Sequence, residues 1–188
     1  GLRLGEKQSS ALYTYSGSVS RQDSGSTLVL TSNSGSGQTG SFSFSYVLPD
    51  DSYQLQINAT GAGFKPSAEK LFIDWQIDAL RTEKSIKTER QIATIYYWNE
   101  DDYHSLGVGD EDDDEASQVK WIAYKQHFFS SILQPGVPVQ TSKMAVKAFE
   151  GEVLTKRMAS ENLVSTVNGS FNLPLKLYYG PNKHTTLI

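Results

Sequence analysis

The chain has 188 residues, of which 38% are hydrophobic and 20% charged, with a formal net charge of −4 and a mean hydropathy of −0.41. That length holds one ordinary domain. Mild acidity without a Lys/Arg cluster excludes a nucleic-acid partner, the absence of cysteine excludes disulfide and thiolate chemistry, and no run of 18 apolar residues is present to span a membrane as a helix.

The opening "GLRLGEK" reads as the start of an excised fragment, so trimming at the amino end is expected. Residues 32–41, "SNSGSGQTGS", form a polar loop without core content. From there the rhythm has period two. In "SFSFSYVL" (41–48), Phe42, Phe44, Tyr46 and Leu48 share one face and the serines the other. "YQLQINA" (53–59) repeats the pattern with Tyr53, Leu55, Ile57 and Ala59, and "LPDDSY" between the two is a hairpin turn. "GAGFKPS" (61–67) breaks the next pair, and "LFIDWQIDA" (71–79) aligns Leu71, Ile73, Trp75, Ile77 and Ala79. "FNLPLKLYY" (171–179) aligns Phe171, Leu173, Leu175, Leu177 and Tyr179, and Pro174 within it marks an edge or a bulge. Side chains alternate across a strand, so each segment has one dry and one wet face, the habit of antiparallel sheets. Helix is expected only within 80–92, within 115–126 and at the carboxyl end. The pattern predicts an all-β, two-sheet sandwich in one domain.

"SQVKWIAYKQHFFSSIL" (117–133) is the most apolar stretch, and it follows six consecutive acids, Asp110–Glu115. As a strand it turns Val119, Trp121 and Ala123 one way and Ile122 and Tyr124 the other. As a helix it aligns Trp121, Lys125, Phe128 and Ile132. Periodicity does not separate the two. The β-rich context and the aromatic and β-branched content favour two strands joined by a bend near Lys125–His127, with Trp121 buried between the sheets. A membrane-surface helix would need a basic polar face and is disfavoured by the acid run.

The same stretch carries a resemblance. Trp121, Ile122, Ala123, Lys125, Gln126, Phe128, Phe129 and Ser130 match a "W-[IV]-A-x-[KL]-Q-x-[FY]-F-[SA]" segment, and Tyr179, Gly180 and Pro181 match a closing strand and "[FVY]-G-P" turn. Together they resemble the large extracytoplasmic domain of the YidC/Oxa/Alb membrane protein insertases. "IDWQ" (73–76) and "ATIYYW" (93–98) are similar to its Bacteroides-type variants, and the resemblance covers residues 11–188. It implies a twisted antiparallel β-supersandwich, galactose mutarotase-like, with a short C-terminal helical element. It implies a single periplasmic domain over 1–188, cut before the second transmembrane helix and anchored through parts of the protein outside this chain. It also implies Sec translocon accessory subunits and nascent membrane proteins as partners. The family's insertion groove belongs to a transmembrane core this chain lacks, so no functional residue carries over. Trp121, Ala123, Gln126, Phe128, Phe129, Gly180 and Pro181 are expected as structural motif residues, with no catalytic, cofactor or metal residue. "GLRLGEKQSS" does not match the "[KR]-G-G"-like turn with which the family's domain opens. An unpaired sheet edge is therefore expected at the amino end, able to self-associate.

The remaining candidates have plainer readings. The acid run lacks EF-hand spacing and is expected as a solvated loop rather than a calcium site. His127 with Asp74 or Asp78 would suit the proton chemistry of a mutarotase, but a shared fold does not transfer chemistry, and no enzyme activity is expected. Trp75, Trp98 and Trp121 read as core or rim rather than a sugar-binding face. Asn58-Ala-Thr and Asn168-Gly-Ser read as exposed turns. The rival to an insertase module is a free-standing carbohydrate-binding or mutarotase-like protein.

Overall fold

A computed structural model describes residues 1–6, 8–33, 39–100 and 102–182. Their strands, in chain order, are β1 (Leu2–Leu4), β2 (Gln8–Ser9), β3 (Thr14–Gln22), β4 (Gly25–Asn33), β5 (Ser41–Pro49), β6 (Gln54–Ala62), β7 (Ala68–Leu80), β8 (Thr94–Asn99), β9 (Asp102–Ser105), β10 (Glu111–Lys125), β11 (Phe129–Pro135), β12 (Val139–Ala148), β13 (Leu154–Asn168) and β14 (Phe171–Pro181). The α-helix α1 (Ile86–Ile92) is capped by Ser85, whose side chain accepts from the Thr88 amide. The strands pair in the order β2-β1-β7-β13-β12-β10-β11-β14-β6-β5-β4-β3, with β8 and β9 branching from β10.

This antiparallel sheet folds over so that its two halves face each other, without closing into a barrel among the described residues. One apolar cluster joins Leu71 and Ile73 of β7 and Val164 of β13 to Phe42, Ala59, Leu173 and Leu175 of β5, β6 and β14, so the two halves pack face to face. A second cluster gathers Ile95, Val119, Ile122, Tyr124, Val146 and Met158. Trp75 packs against both. Its ring stacks on Tyr124 with centroids 3.9 Å apart. Between the clusters lies a hydrogen-bonded polar chain. The Tyr124 hydroxyl bonds the Trp75 carbonyl at 2.9 Å and Ser160 Oγ at 2.8 Å. Asn162 Nδ2 donates to Ser160 Oγ and to the Ile73 carbonyl, and Ser142 Oγ donates to Asn162 Oδ1. Buried polar groups are tolerated because each finds a partner.

The alternating runs at 41–48, 53–59, 71–79 and 171–179 are β5, β6, β7 and β14, as their pattern predicts. Pro174 pairs with Asn58 on the β6 side, whereas the β11 ladder stops at Pro135↔Leu175, so the proline stands where one edge of its strand is unladdered. Asn58 lies within β6 and not in a turn; Asn168 ends β13.

Several expectations are corrected. The helix alternative over 115–126 falls: residues 115–125 are strand and Gln126 opens the bend to β11, as the favoured two-strand reading has it. Asp110–Glu115 is not a loop: from Glu111 onward it is β10, laddered to β12, with Glu115 opposite Lys143 and Glu111 opposite Lys147, the latter ion-paired at 3.5 Å. Tyr97 donates to Asp114 Oδ2 at 2.5 Å, and the Gly107 amide to Asp112 Oδ2 at 2.5 Å. Cross-strand cations and these donors stabilise carboxylates that would otherwise stay in a solvated loop. Trp121 is not between the sheets. Gln118 takes φ of 54° and the register to β8 slips between Val119 and Trp121, a bulge that puts Val119, Ile122 and Tyr124 on the core side. Trp121 turns outward, half-buried, its ring 6.4 Å from Trp98. At the amino end β1 is paired on both sides, by β2 and β7; among the described residues the long open edge is β3. Pro181 closes β14 and does not begin a helix; of the helix expected over 182–188, only Asn182 is described, and the rest lies outside the described residues.

Candidate functional site

The two motif segments, far apart in sequence, meet at one end of the sandwich. β10 delivers Ile122 to Lys125, a three-residue turn follows, and β11 starts at Phe129, whose carbonyl accepts from the Gln126 amide at 2.9 Å. The last residues of β14 pair with β11 as Phe129↔Pro181 and Ser130↔Gly180. Gly180 is required by crowding: a Cβ there would stand 2.7 Å from the Tyr178 hydroxyl and 2.8 Å from the Tyr53 ring.

Asn182 then closes the site. Its amide donates to the Phe128 carbonyl at 2.8 Å. Its Nδ2 donates to the carbonyls of Gln126 (2.8 Å) and His127 (3.2 Å), and its Oδ1 accepts from Ser130 Oγ at 2.7 Å. The side chain thus ties the β10–β11 turn to the end of β14. Gln126, Phe128, Phe129, Gly180 and Pro181 are brought together here; Trp121 and Ala123 lie farther up β10, Ala123 buried and paired with Ile132 and Tyr96. Sequence reasoning missed Asn182, although an Asn directly after Gly-Pro is itself a turn signal. Around this clasp four rings stay open to solvent: Tyr53, Phe128, Phe129 and Tyr179, each about half exposed or more.

His127, the candidate for proton chemistry, stacks on Phe128 in the turn. The carboxylates proposed to serve it are engaged elsewhere. Asp74 is held by Arg3 at 2.8 Å and 3.0 Å, and Asp78 by Arg157 at 2.7 Å and 2.8 Å. The Arg157 hydrogen bond holds Asp78 below the usual carboxylate range. No hydrogen bond among the described residues joins His127 to either acid. Among the described residues no group of three or more His, Asp and Glu is placed to hold a metal.

A second feature lies between the halves of the sheet, where an apolar cleft of about 350 Å³ runs under Leu30, Phe44, Tyr46 and Ile57 with Trp75 on the opposite wall. These side chains are only partly buried.

Clasp and cleft both leave apolar side chains open to solvent on one antiparallel β-sandwich domain, the class of fold to which the chain belongs. The YidC periplasmic domain family matches residues 3–188, and the chain belongs to that family. It is 30% identical over 158 residues to the membrane protein insertase YidC of Parabacteroides distasonis, covering 80% of this chain and 25% of the relative. To the protein of the same name from Bacteroides fragilis it is 28% identical over 181 residues, covering 92% and 29%. The chain therefore spans about a quarter of the length of these relatives. Among solved structures, an α-galactosidase from Lactobacillus brevis aligns with a TM-score of 0.51 and 11% identity over 100% of this chain and 27% of that one, a likeness of fold alone.

Proposed function

We propose that this chain is the periplasmic contact module of an inner-membrane protein insertase, one domain over 1–188, working without catalysis. Its family and its insertase relatives support that reading over a free-standing carbohydrate-binding protein. The observation that carries it is the open aromatic cluster of Tyr53, Phe128, Phe129 and Tyr179 around the Asn182 clasp. Exposed apolar rings gathered in one place mark a contact surface, and a turn pinned by five hydrogen bonds presents them rigidly. In this reading the motif residues are structural: Gly180 and Pro181 shape the clasp, Gln126 closes the turn, and Trp121 and Ala123 set β10. The partners are Sec accessory subunits and segments of membrane proteins emerging from the bilayer, with attachment to the membrane supplied by parts of the protein beyond this chain.

The test is site-specific photocrosslinking in the membrane-embedded protein. A photoreactive residue at Phe128 or Tyr179 is expected to capture Sec subunits or a newly inserted substrate, and the same probe at exposed Val153, outside the cluster, is not. Equal capture at all three positions would refute the assignment.

A further inference from the structure

We infer that the open edge of β3, together with the apolar cleft beside it, binds an extended peptide by strand addition, selecting segments whose apolar side chains alternate. The inference rests on the contact-module reading and names a second partner site within it.

β3 ends the sheet. Its ladder with β4 runs without a register shift from Thr14↔Asn33 to Gln22↔Gly25. At a sheet edge every second residue turns its N–H and C=O away from the neighbouring strand, which offers a template for another. Natural edges are usually blunted by a bulge, a proline or a lysine. Between Gly17 and Gln22 there is none of these, and the single charge, Arg21, is drawn to Asp50 at 2.7 Å.

The register says what an added strand would meet. Gly17 stands opposite Leu30, which stands opposite Phe44; Val19 stands opposite Leu28, which stands opposite Tyr46. Directly opposed residues share a face. Every second side chain of a strand added beside Gly17–Arg21 would therefore fall on the face that carries Leu30, Phe44 and Tyr46, at the cleft mouth that Tyr15 of β3 also lines. Val19 itself is 75% exposed on that face. A backbone edge supplies affinity and an adjoining apolar cleft supplies side-chain selection, the two parts of strand-addition recognition.

The occupant is a foreign segment rather than a second copy. Two β3 edges paired together would bring Gly17 and Arg21 of each copy over an apolar cleft, with Val19 as its one aliphatic contribution. An alternating Val/Thr segment presents a branched apolar side chain at every inward position.

The experiment uses this chain and a fluorescein-labelled peptide of nine alternating Val and Thr residues flanked by lysines, followed by fluorescence anisotropy. Saturable binding is expected. Val19→Lys, at a position open enough to accept the change, should weaken it about tenfold, and a peptide N-methylated at alternate residues should not bind. Amide exchange within Gly17–Arg21 should slow when the unmodified peptide is bound. Equal binding of the N-methylated peptide, or an unchanged affinity in Val19→Lys, would overturn strand addition, as would concentration-dependent dimerisation protecting the same amides without peptide. Should Val19→Lys fail to fold, the N-methylated peptide decides alone. Loss of peptide binding with the Phe128 and Tyr179 crosslinks intact would remove this site and leave the contact module standing.

Discussion

Tyr124 ties the second core to Trp75, the residue that packs against both cores. The tyrosine is fully buried, stacked on Trp75, and its hydroxyl joins β10 to β7 and β13. Tyr124→Ala is expected to cost about 3–5 kcal/mol, the range for emptying a large aromatic site. Tyr124→Phe keeps the ring but strips the Trp75 carbonyl of its partner, and should cost about 1–3 kcal/mol. Trp121→Ala, at a half-buried ring on the outer surface, should cost less than half as much as Tyr124→Ala. Urea midpoints at constant slope will rank the three, and a Trp121 variant as damaging as Tyr124→Ala would contradict the outward placement. At the clasp, Asn182→Ala removes three side-chain hydrogen bonds, two of them to carbonyls of a turn. Faster amide exchange over 126–129, with α1 unaffected, is the expected signature.

At the scale of elements, the positive φ at Gln118 and the bulge that follows at Lys120 decide what β10 does. Up to Val119 β10 pairs with β12; from Val119 it pairs with β8 and from Ile122 with β11 as well. A one-residue slip in a strand exchanges its two faces. Deleting Gln118 takes one residue out between the β12 and β8 ladders, so either Lys120 enters the buried place of Val119 or the residues from Trp121 onward exchange faces, and on both routes the protein should lose cooperative thermal unfolding. Gln118→Gly keeps the count of residues and suits a positive φ, so its melting temperature should stay close to that of the parent. If the deletion and the glycine variant melted alike, the bulge would not be setting the face.

For the molecule as a whole, alkaline pH is the informative variable. Burial, then the bond to Asp114, pushes the Tyr97 hydroxyl from an ordinary 10.0 up to about 12. Burial also raises Tyr124, partly offset by Ser160. A group with a raised folded pKa holds its proton in the folded state after the unfolded chain has released it. Its stabilising contribution is therefore complete below pH 10 and is lost as pH climbs toward 12. Stability measured from pH 9 to 12 should fall along this limb, and Tyr97→Phe should make the fall shallower. An unchanged slope in that variant would show that Tyr97 ionises alike in both states.

Period two was enough to place β5, β6, β7 and β14 and to choose an all-β sandwich, because a half-buried strand imposes alternation on its own sequence regardless of its neighbours. The motif residues at 121–130 and 179–181 likewise pointed to the family before any geometry. Local pattern could not reveal the bulge that follows Gln118, since one extra residue leaves no mark in composition yet resets which later side chains face the core. Nor could it show that Glu111–Glu115 is strand, because the β12 ladder that holds it, with Lys143 and Lys147 opposite Glu115 and Glu111, lies more than twenty residues on. Asn182 was invisible for the same reason: its partners Gln126, His127 and Ser130 lie more than fifty residues away. Local sequence sets which face of a strand is dry. Only tertiary structure sets which strands meet, and therefore where charge is neutralised, where the β3 edge is left open and which rings remain free for a partner.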